Sequence, residues 1–263
     1  MQLIKSHAFG NDFLLMETAA LPSGADRAQF ARDVCDRHRG IGADGLMLFD
    51  PRPGGAAMRL LNADGSRSEV SGNGVRCLAA WLAAAEGLGP GGVVEIDTEA
   101  GTKRLELLDV TAGRYTFRAS MGQPEEIAME SIDVDGERVD AVTLRVGNPQ
   151  CVVLGEVSQD RLHRLASRLA VHPRFTEGTN VELATVVAPD HVRILIWERG
   201  VGPTEASGTG ACAAAVASMQ YGGAARDVRV ESPGGSQRVE WRDDGLYLTG
   251  WAEVVARCDW LRR

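Results

Sequence analysis

The feature that most constrains the fold of this chain is a six-residue pattern that occurs twice. Residues 69–74 and 205–210 both read Glu-x-Ser-Gly-x-Gly, and Ser207 lies 136 positions after Ser71 in a chain of 263 residues. Each copy runs directly into an alanine-rich segment, at 75–86 and at 211–221. A repeat at about half the chain length predicts two similar halves, each with a strand, a loop and a helix of this kind.

The rest of the chain is rich in short segments typical of β-strands, with few helices between them. Strands are predicted between turn residues at 93–97, 105–110, 115–119, 191–197, 228–231, 238–241 and 246–249. Helices are predicted at 25–38, after an N-cap at Ser158, and in the two alanine-rich segments. The latter are apolar nearly all round, which is typical of buried helices. The sequence therefore predicts an α+β fold.

Charge and composition limit the partners of the chain. It has 28 Lys and Arg against 36 Asp and Glu, and this net charge of −8 argues against a nucleic-acid or membrane-surface partner. No apolar run approaches about 18 residues, and the first residues lack the apolar core of a signal peptide, so we expect a cytoplasmic protein. Five cysteines with scattered spacing predict reduced thiols rather than a disulfide framework.

The two glycine-rich turns indicate where a small anion could bind. A helix N-terminus presents backbone N–H groups and the positive end of the helix dipole. If a two-fold axis relates the halves, Ser71 and Ser207 would flank one anionic molecule on opposite faces, in a cleft between the halves. That arrangement suits chemistry that needs an acid on one face and a base on the other. The alternative is structural: the glycines only allow close packing, and the serines only cap the helices.

Other patterns carry less information. Residues 40–45 match Gly-x-Gly-x-x-Gly, but they follow a helix-like segment rather than a strand, which argues against a dinucleotide site. Neither serine lies in a Gly-x-Ser-x-Gly elbow, and the five histidines show no metal-ligand spacing, so we expect no metal. Cys77 and Cys212 lie in the first turns of the two helices, where a thiol pKa can fall, but we interpret them as small packing residues.

Taken together, the motifs of this chain strongly resemble the diaminopimelate epimerase family over nearly the whole length. The matching stretches are residues 9–13, 36–45, 62–66, 71–77, 147–149, 177–181, 198–202, 207–212 and 232–235. The resemblance implies two pseudo-symmetric halves, each a β-structure around a central helix, with the site in the cleft between them. It places the N-terminal half at 1–119, rejoined by roughly 251–263, and the C-terminal half at 120–250.

The resemblance also implies a reaction. Members of this family interconvert LL- and meso-diaminopimelate without a cofactor, in the lysine and peptidoglycan pathway. One cysteine removes the α-proton as a thiolate, and a second on the opposite face delivers one. We therefore expect a small amino-acid substrate and no cofactor. The sequence does not decide the oligomeric state, and a homodimer is one assembly that it allows.

Site residues follow from the same resemblance, position by position. The side chains implied in substrate binding are Asn11, Asn62, Asn148 and Asn180. The backbones of Gly72, Asn73, Gly208 and Thr209 are implied in holding the reacting carboxylate. Glu198 and Arg199 are implied in binding it further, and Glu198 in tuning the nearby catalytic group.

The chain departs from the family at the positions of its chemistry. Serine occupies both catalytic cysteine positions, as Ser71 and Ser207, and Gln150 stands where the family usually has a histidine that tunes the thiol pKa. Trp251 replaces a common proline, which could reshape one wall. A free thiol has a pKa of about 8.5, whereas an alcohol is a far weaker acid. Since no sequence feature supplies a dedicated base, we expect two-thiol proton exchange to be lost or greatly slowed.

Three interpretations stay open at this point. The chain is an epimerase whose two cysteines were replaced to trap substrate, although Gln150 counts against this. It is a divergent paralogue that uses the same anion-binding cleft for another isomerisation, an elimination or a cyclisation. Or it is a non-catalytic ligand-binding protein.

Overall fold

The computed structural model describes residues 1–68 and 71–261, and it confirms the α+β fold class. Glu69 and Val70, which begin the first motif copy, lie outside the described residues, as do Arg262 and Arg263. The chain forms two compact units, Met1–Ala119 with Gly250–Arg263, and Ser120–Thr249.

Over its described residues, the first unit contains eight strands and two α-helices before the chain leaves it. The strands are β1 (Gln2–Ala8), β2 (Asn11–Glu17), β3 (Gly45–Arg52), β4 (Gly55–Asn62), β5 (Arg67–Ser68), β6 (Val93–Thr98), β7 (Gly101–Thr111) and β8 (Arg114–Gly122). The helices are α1 (Arg27–Cys35) and α2 (Gly72–Glu86), and a 3-10 turn spans Thr18–Ala20. Pairs β1–β2, β3–β4, β4–β5, β6–β7 and β7–β8 are antiparallel, whereas β2–β3 and β4–β6 are parallel.

The second unit repeats this order. Its strands are β9 (Glu125–Val134), β10 (Glu137–Val146), β11 (Asn148–Leu154), β12 (Asn180–Ala188), β13 (His191–Glu198), β14 (Gly202–Thr204), β15 (Asp227–Ser232), β16 (Gly235–Arg242) and β17 (Gly245–Asp259). Its helices are α3 (Gln159–Arg161), a π-helical turn (Leu162–Ala166), α4 (Ser167–Leu169) and α5 (Gly208–Tyr221). Pairs β11–β12 and β13–β15 are parallel, and the other neighbouring pairs are antiparallel.

A helix bridges each parallel pair, because parallel strands need a crossover connection. In the first unit α1 joins β2 to β3, and α2 lies between β4 and β6. In the second unit the α3–α4 segment joins β11 to β12, and α5 lies between β13 and β15. The two units thus share one topology, element by element.

The central helices α2 and α5 are buried along most of their length. In α5 every residue from Gly210 to Ser218 is buried, and the helix packs in one apolar cluster with strands β10 to β13 and β15 to β17. Small alanine side chains allow the strands to approach the helix closely. Helix α2 ends at Gly87, whose φ of 66° is the left-handed conformation that favours glycine at a helix end.

The chain connects the units through strands rather than loops. It leaves the first unit within β8 and returns to it within β17. The 253–259 part of β17 then pairs antiparallel with β1. Within the described part of the chain, no helix combines the length and apolar character needed to cross a membrane.

Candidate functional site

In the first unit, the glycine-rich turn forms the N-terminus of α2. Ser71 has extended backbone and is the N-cap: its Oγ accepts a hydrogen bond from the Gly74 N–H at 3.1 Å. Its carbonyl accepts from the Val75 N–H at 2.8 Å. A helix begins with four amides that lack an intrahelical partner, and the serine hydroxyl satisfies one of them.

The N-terminus of α5 has the same geometry in the second unit. Ser207 Oγ accepts from the Gly210 N–H at 3.2 Å, and the Ser207 carbonyl accepts from the Ala211 N–H at 3.1 Å. The Gln237 amide, itself buried, donates to the same carbonyl at 3.3 Å. Ser207 is buried, whereas Ser71 is half-buried. Both serines therefore cap helices, as the structural alternative predicts; capping leaves the remaining helix amides able to bind an anion.

Two of the predicted substrate residues of the first unit lie at its helix end. Asn73 donates from its amide nitrogen to Asn11 Oδ1 at 3.3 Å, and its own oxygen accepts from the fully buried Arg76 guanidinium at 2.5 Å. Asn62 instead donates to Ser66 Oγ at 2.9 Å, within the turn that follows β4. The structure therefore brings Asn11 and Asn73 together and holds Asn62 in its own turn.

A cluster of charged side chains that sequence reasoning missed supports Asn11. Asp12 pairs with Lys5 at 2.5 Å and with Arg37 at 2.8 Å, and Asp44 accepts from Arg37 at 2.7 Å and from the Asn11 amide at 2.7 Å. Burial would raise the pKa of Asp12, but hydrogen bonds from Arg37 and Lys5 outweigh it, so the pKa lies below its usual value. Within the matched stretch 36–45, Arg37 and Asp44 were the sequence signal for this cluster.

In the second unit, four of the predicted residues, Asn148, Gln150, Asn180 and Arg199, meet where β11 and β12 begin. Gln150 and Asn180 are register partners on these strands, and the Gln150 amide donates to Asn148 Oδ1 at 2.7 Å. Asn180 Oδ1 accepts from the Arg199 backbone N–H at 2.9 Å. The Arg199 guanidinium donates to the Glu177 carbonyl at 2.7 Å, and Glu198 is half-buried at the end of β13.

A carboxylic acid that sequence reasoning missed lies beside these residues. Glu182 on β12 is fully buried, and among the described residues neither of its carboxyl oxygens has a hydrogen-bond partner. Burial, and then the charge of Glu198, raise the pKa of Glu182 well above its ordinary value. A methyl group placed on Gly210 would lie 2.6 Å from Glu182 Oε1 and 3.2 Å from Ser207 Cβ. Glu182 therefore lies against the first turn of α5.

Other sequence-predicted features have structural positions. Cys77 is fully buried and burial raises the pKa of its thiol to about 12, so it is a neutral packing residue at physiological pH. Trp251 contacts Phe9 with ring centroids 4.6 Å apart and His7 at 5.4 Å, and the Arg114 guanidinium lies 4.3 Å from its ring centroid. Trp251 thus belongs to an aromatic and cationic stack in the first unit.

Comparison with known proteins assigns this arrangement to a family. The sequence model described as "Diaminopimelate epimerase" matches residues 3–127 and 142–255. A diaminopimelate epimerase of Desulforudis audaxviator is 42% identical, with all of both chains covered. One of Heliobacterium modesticaldum is 38% identical, with 98% of each chain covered.

Solved structures share the fold at low sequence identity. A hydroxyproline epimerase from Agrobacterium vitis superposes with a TM-score of 0.69 at 16% identity, covering 98% of this chain and 90% of that one. A phenazine biosynthesis protein of the PhzF family from Bacillus anthracis has a TM-score of 0.72 at 13% identity, covering 100% and 99%. At such identities the likeness extends to the fold alone.

Proposed function

This chain belongs to the diaminopimelate epimerase family, a family of isomerases, and from that membership we propose that it binds diaminopimelate and exchanges the α-proton only slowly. Ser71 and Ser207 occupy the proton-transfer positions. The backbones of Gly72–Asn73 and Gly208–Thr209 hold the α-carboxylate, and Asn11, Asn148, Asn180, Glu198 and Arg199 contribute further substrate contacts. No cofactor takes part.

One observation carries the proposal: the two units present the same serine-capped helix N-terminus. Each serine lies one residue before its helix, and its hydroxyl oxygen accepts a hydrogen bond from the backbone N–H of the glycine three positions later. Backbone N–H groups and the helix dipole at such an end favour a carboxylate. When a substrate carboxylate binds at this helix end, the α C–H bond next to it becomes more acidic, because the helix end stabilises the negative charge that develops as the carbanion forms.

Slow turnover follows from the hydrogen bonds of the two hydroxyls. Within residues 1–68 and 71–261, the Ser71 hydroxyl bonds only the Gly74 amide, and Ser207 bonds the Gly210 amide and, at 3.5 Å, Thr209 Oγ1. Neither hydroxyl therefore has a basic partner in direct contact that could remove its proton. Gln150 cannot supply one, because an amide does not titrate and its nitrogen already bonds Asn148.

The test restores both thiols. We expect the chain to show a saturable rise in melting temperature with LL- or meso-diaminopimelate, and little epimerisation by chiral chromatography. Ser71→Cys combined with Ser207→Cys should raise the epimerisation rate by about 10²–10⁴-fold, the usual contribution of a positioned acid or base. The matched control is Ser71→Ala combined with Ser207→Ala.

Two outcomes would contradict the proposal. If neither stereoisomer shifts the melting temperature, the substrate is another anion, and the paralogue interpretation applies. If diaminopimelate binds but the double cysteine variant stays inactive, the chain is a binding protein, and Gln150→His in that background then shows whether the histidine was the missing group.

A further inference from the structure

Glu182 is an acid in a place where the surrounding strands are apolar. On β12 it pairs with Val152 of β11 and with Ile196 of β13. Residues two apart on a strand share a face, so Glu182 points the same way as Ala184, which belongs with Val152 and Ile196 to the apolar cluster around α5. A carboxyl group buried there without a partner costs free energy, and a purely structural role would be served better by an apolar residue.

The same place in the first unit is apolar. Gly45 is the first residue of β3, and Asn180 is the first residue of β12. Each of them pairs with the third residue of the preceding strand. Met47 and Glu182, two residues further on, therefore occupy corresponding positions. A methyl group on Gly74 would meet Met47 Cε and lie 3.3 Å from Ser71 Cβ, just as one on Gly210 would meet Glu182 Oε1. Glu182 is therefore specific to the end of α5.

We propose that Glu182 is the proton-relay partner of Ser207, a positioning residue that acts on substrate through the serine hydroxyl. This inference rests on the proposed function. Both side chains lie next to the Cα of Gly210. Among the described residues, the only acceptor near the Ser207 hydroxyl hydrogen is Thr209 Oγ1, at a long 3.5 Å. One bridging water would connect two polar groups placed on either side of the same glycine.

The relay moves one proton in each direction. When Glu182 is ionised, its carboxylate takes the Ser207 hydroxyl proton while Ser207 Oγ takes the substrate α-proton; the Cα–H bond breaks, and its electron pair stays on the α-carbon. The reverse step returns a proton to the same face through the same hydroxyl. Since Met47 provides no acid behind Ser71, the relay is one-sided. It exchanges the α-hydrogen with solvent but retains the configuration.

The experiment measures exchange and inversion separately. The full chain is incubated in D₂O with LL- and with meso-diaminopimelate, deuterium is followed by mass spectrometry, and configuration by chiral chromatography. We expect label without inversion, at least ten-fold less label in Glu182→Gln and in Ser207→Ala, and unchanged label in Met47→Leu, a conservative change at the matching place of the first unit. Glu182→Met copies the first unit and guards against a misfolded Glu182→Gln.

A pH profile separates a relay from a structural role. The titratable groups that act on Glu182 are the Glu198 carboxyl on β13 and the Cys151 thiol on β11, whose pKa burial and the Glu182 charge both raise, while the first turn of α5 has no acidic residue. Exchange should rise with pH until Glu182 is ionised and then level off. Glu182→Gln should remove this rise, and Glu182→Asp should restore part of it.

Several results would overturn the inference. A ligand-induced rise in melting temperature without any label shows that no relay operates. Label that survives in both Glu182 variants places the base elsewhere. Label with full inversion excludes a one-sided relay. If neither stereoisomer raises the melting temperature, the proposed function fails first, and the relay fails with it.

Discussion

The helix ends of α2 and α5 are the same in backbone and different in the residues behind them. Each begins with a serine N-cap and a glycine that leaves no room for a side chain. Behind the first lies Met47, and behind the second lies Glu182. The fifth helical residue is the buried Arg76 in α2 and the buried Cys212 in α5.

This difference separates what the fold requires from what the chemistry requires. The order of parallel and antiparallel pairs, the crossover helices and the serine caps recur in both units, so they belong to the repeated fold. The residues behind the two helix ends do not recur, since one is Met47 and the other is the titratable Glu182. A buried carboxyl group in one of two otherwise matched places is the observation on which the proposed one-sided relay rests.

The largest effect is expected when Met47 and Glu182 are each replaced by the residue at the other's place. Met47→Glu places an unpartnered acid in the first unit, and we expect a loss of about 3 kcal/mol or more in the free energy of unfolding at neutral pH. Glu182→Met removes such an acid and should stabilise the protein by about 1–3 kcal/mol. Urea denaturation of both variants measures this, with Met47→Leu as the control. If Met47→Glu and Glu182→Met changed the free energy of unfolding by equal amounts in opposite directions, the two places would be equivalent.

The next largest effect is expected at Gly74 and Gly210, the glycines in the first turns of α2 and α5. Gly74→Ala and Gly210→Ala each place a methyl group too close to the residue behind the helix, and overpacking of this kind costs about 1–3 kcal/mol. Because Met47 is a flexible thioether and Glu182 a buried acid, we expect the larger loss for Gly210→Ala. Combining Gly210→Ala with Glu182→Ala should recover stability. A larger loss at Gly74, measured in the same urea series, would refute this ordering.

The pH dependence of stability should differ between the chain and Glu182→Gln. The folded pKa of Glu182 is raised above the unfolded value of 4.5, so its contribution is fully present below pH 4.5 and is lost as pH rises toward the folded pKa. The stability of the chain relative to Glu182→Gln should therefore fall by up to about 1.4 kcal/mol per pH unit in that window. Asp12, whose pKa is lowered, acts below this window and cancels in the difference. If the free energy of unfolding changed with pH in the same way in the chain and in Glu182→Gln, Glu182 would not be a buried ionisable acid.

The smallest effects concern the caps. Ser71→Ala and Ser207→Ala should each cost about 1 kcal/mol, the usual effect of removing an N-cap. The loss should be larger at Ser207, since it is buried and Ser71 is only half-buried. Thermal melts at several scan rates measure both, with Ser71→Asn and Ser207→Asn as cap-preserving controls. If the asparagine variants lose as much as the alanine variants, capping is not the source of the effect.

Much of the fold is predictable from local patterns. The predicted strand at 191–197 is β13 (His191–Glu198), and the predicted meander is β6 to β8. The repeated motif correctly places α2 and α5. Helix α1 is shorter than the predicted 25–38, because the Asp26 side chain caps it at Arg27 and it ends at Cys35. The segment after Ser158 contains a π-helical turn that periodicity cannot reveal.

What the sequence does not predict depends on register between distant strands. Strand β3 was missed because its apolar run is buried on both faces and shows no alternation. Glu182 was missed because a lone glutamate in a strand is ordinarily a surface residue; only the pairing with Val152 and Ile196 shows that it faces the core. The catalytic roles of Ser71 and Ser207 stay predictions until the exchange experiments are made.

The shared strand β17 has a consequence for how the molecule is made. Strand β1 pairs with β2 on one edge and with the 253–259 part of β17 on the other. On the ribosome, residues 120–249 emerge before β17 is complete, so the second unit can close while β1 still presents an open edge. An unpaired strand edge of this kind readily pairs with other chains. The first half to be synthesised therefore completes its sheet only when the last strand emerges, and removal of residues 253–263 should lower the solubility of the chain.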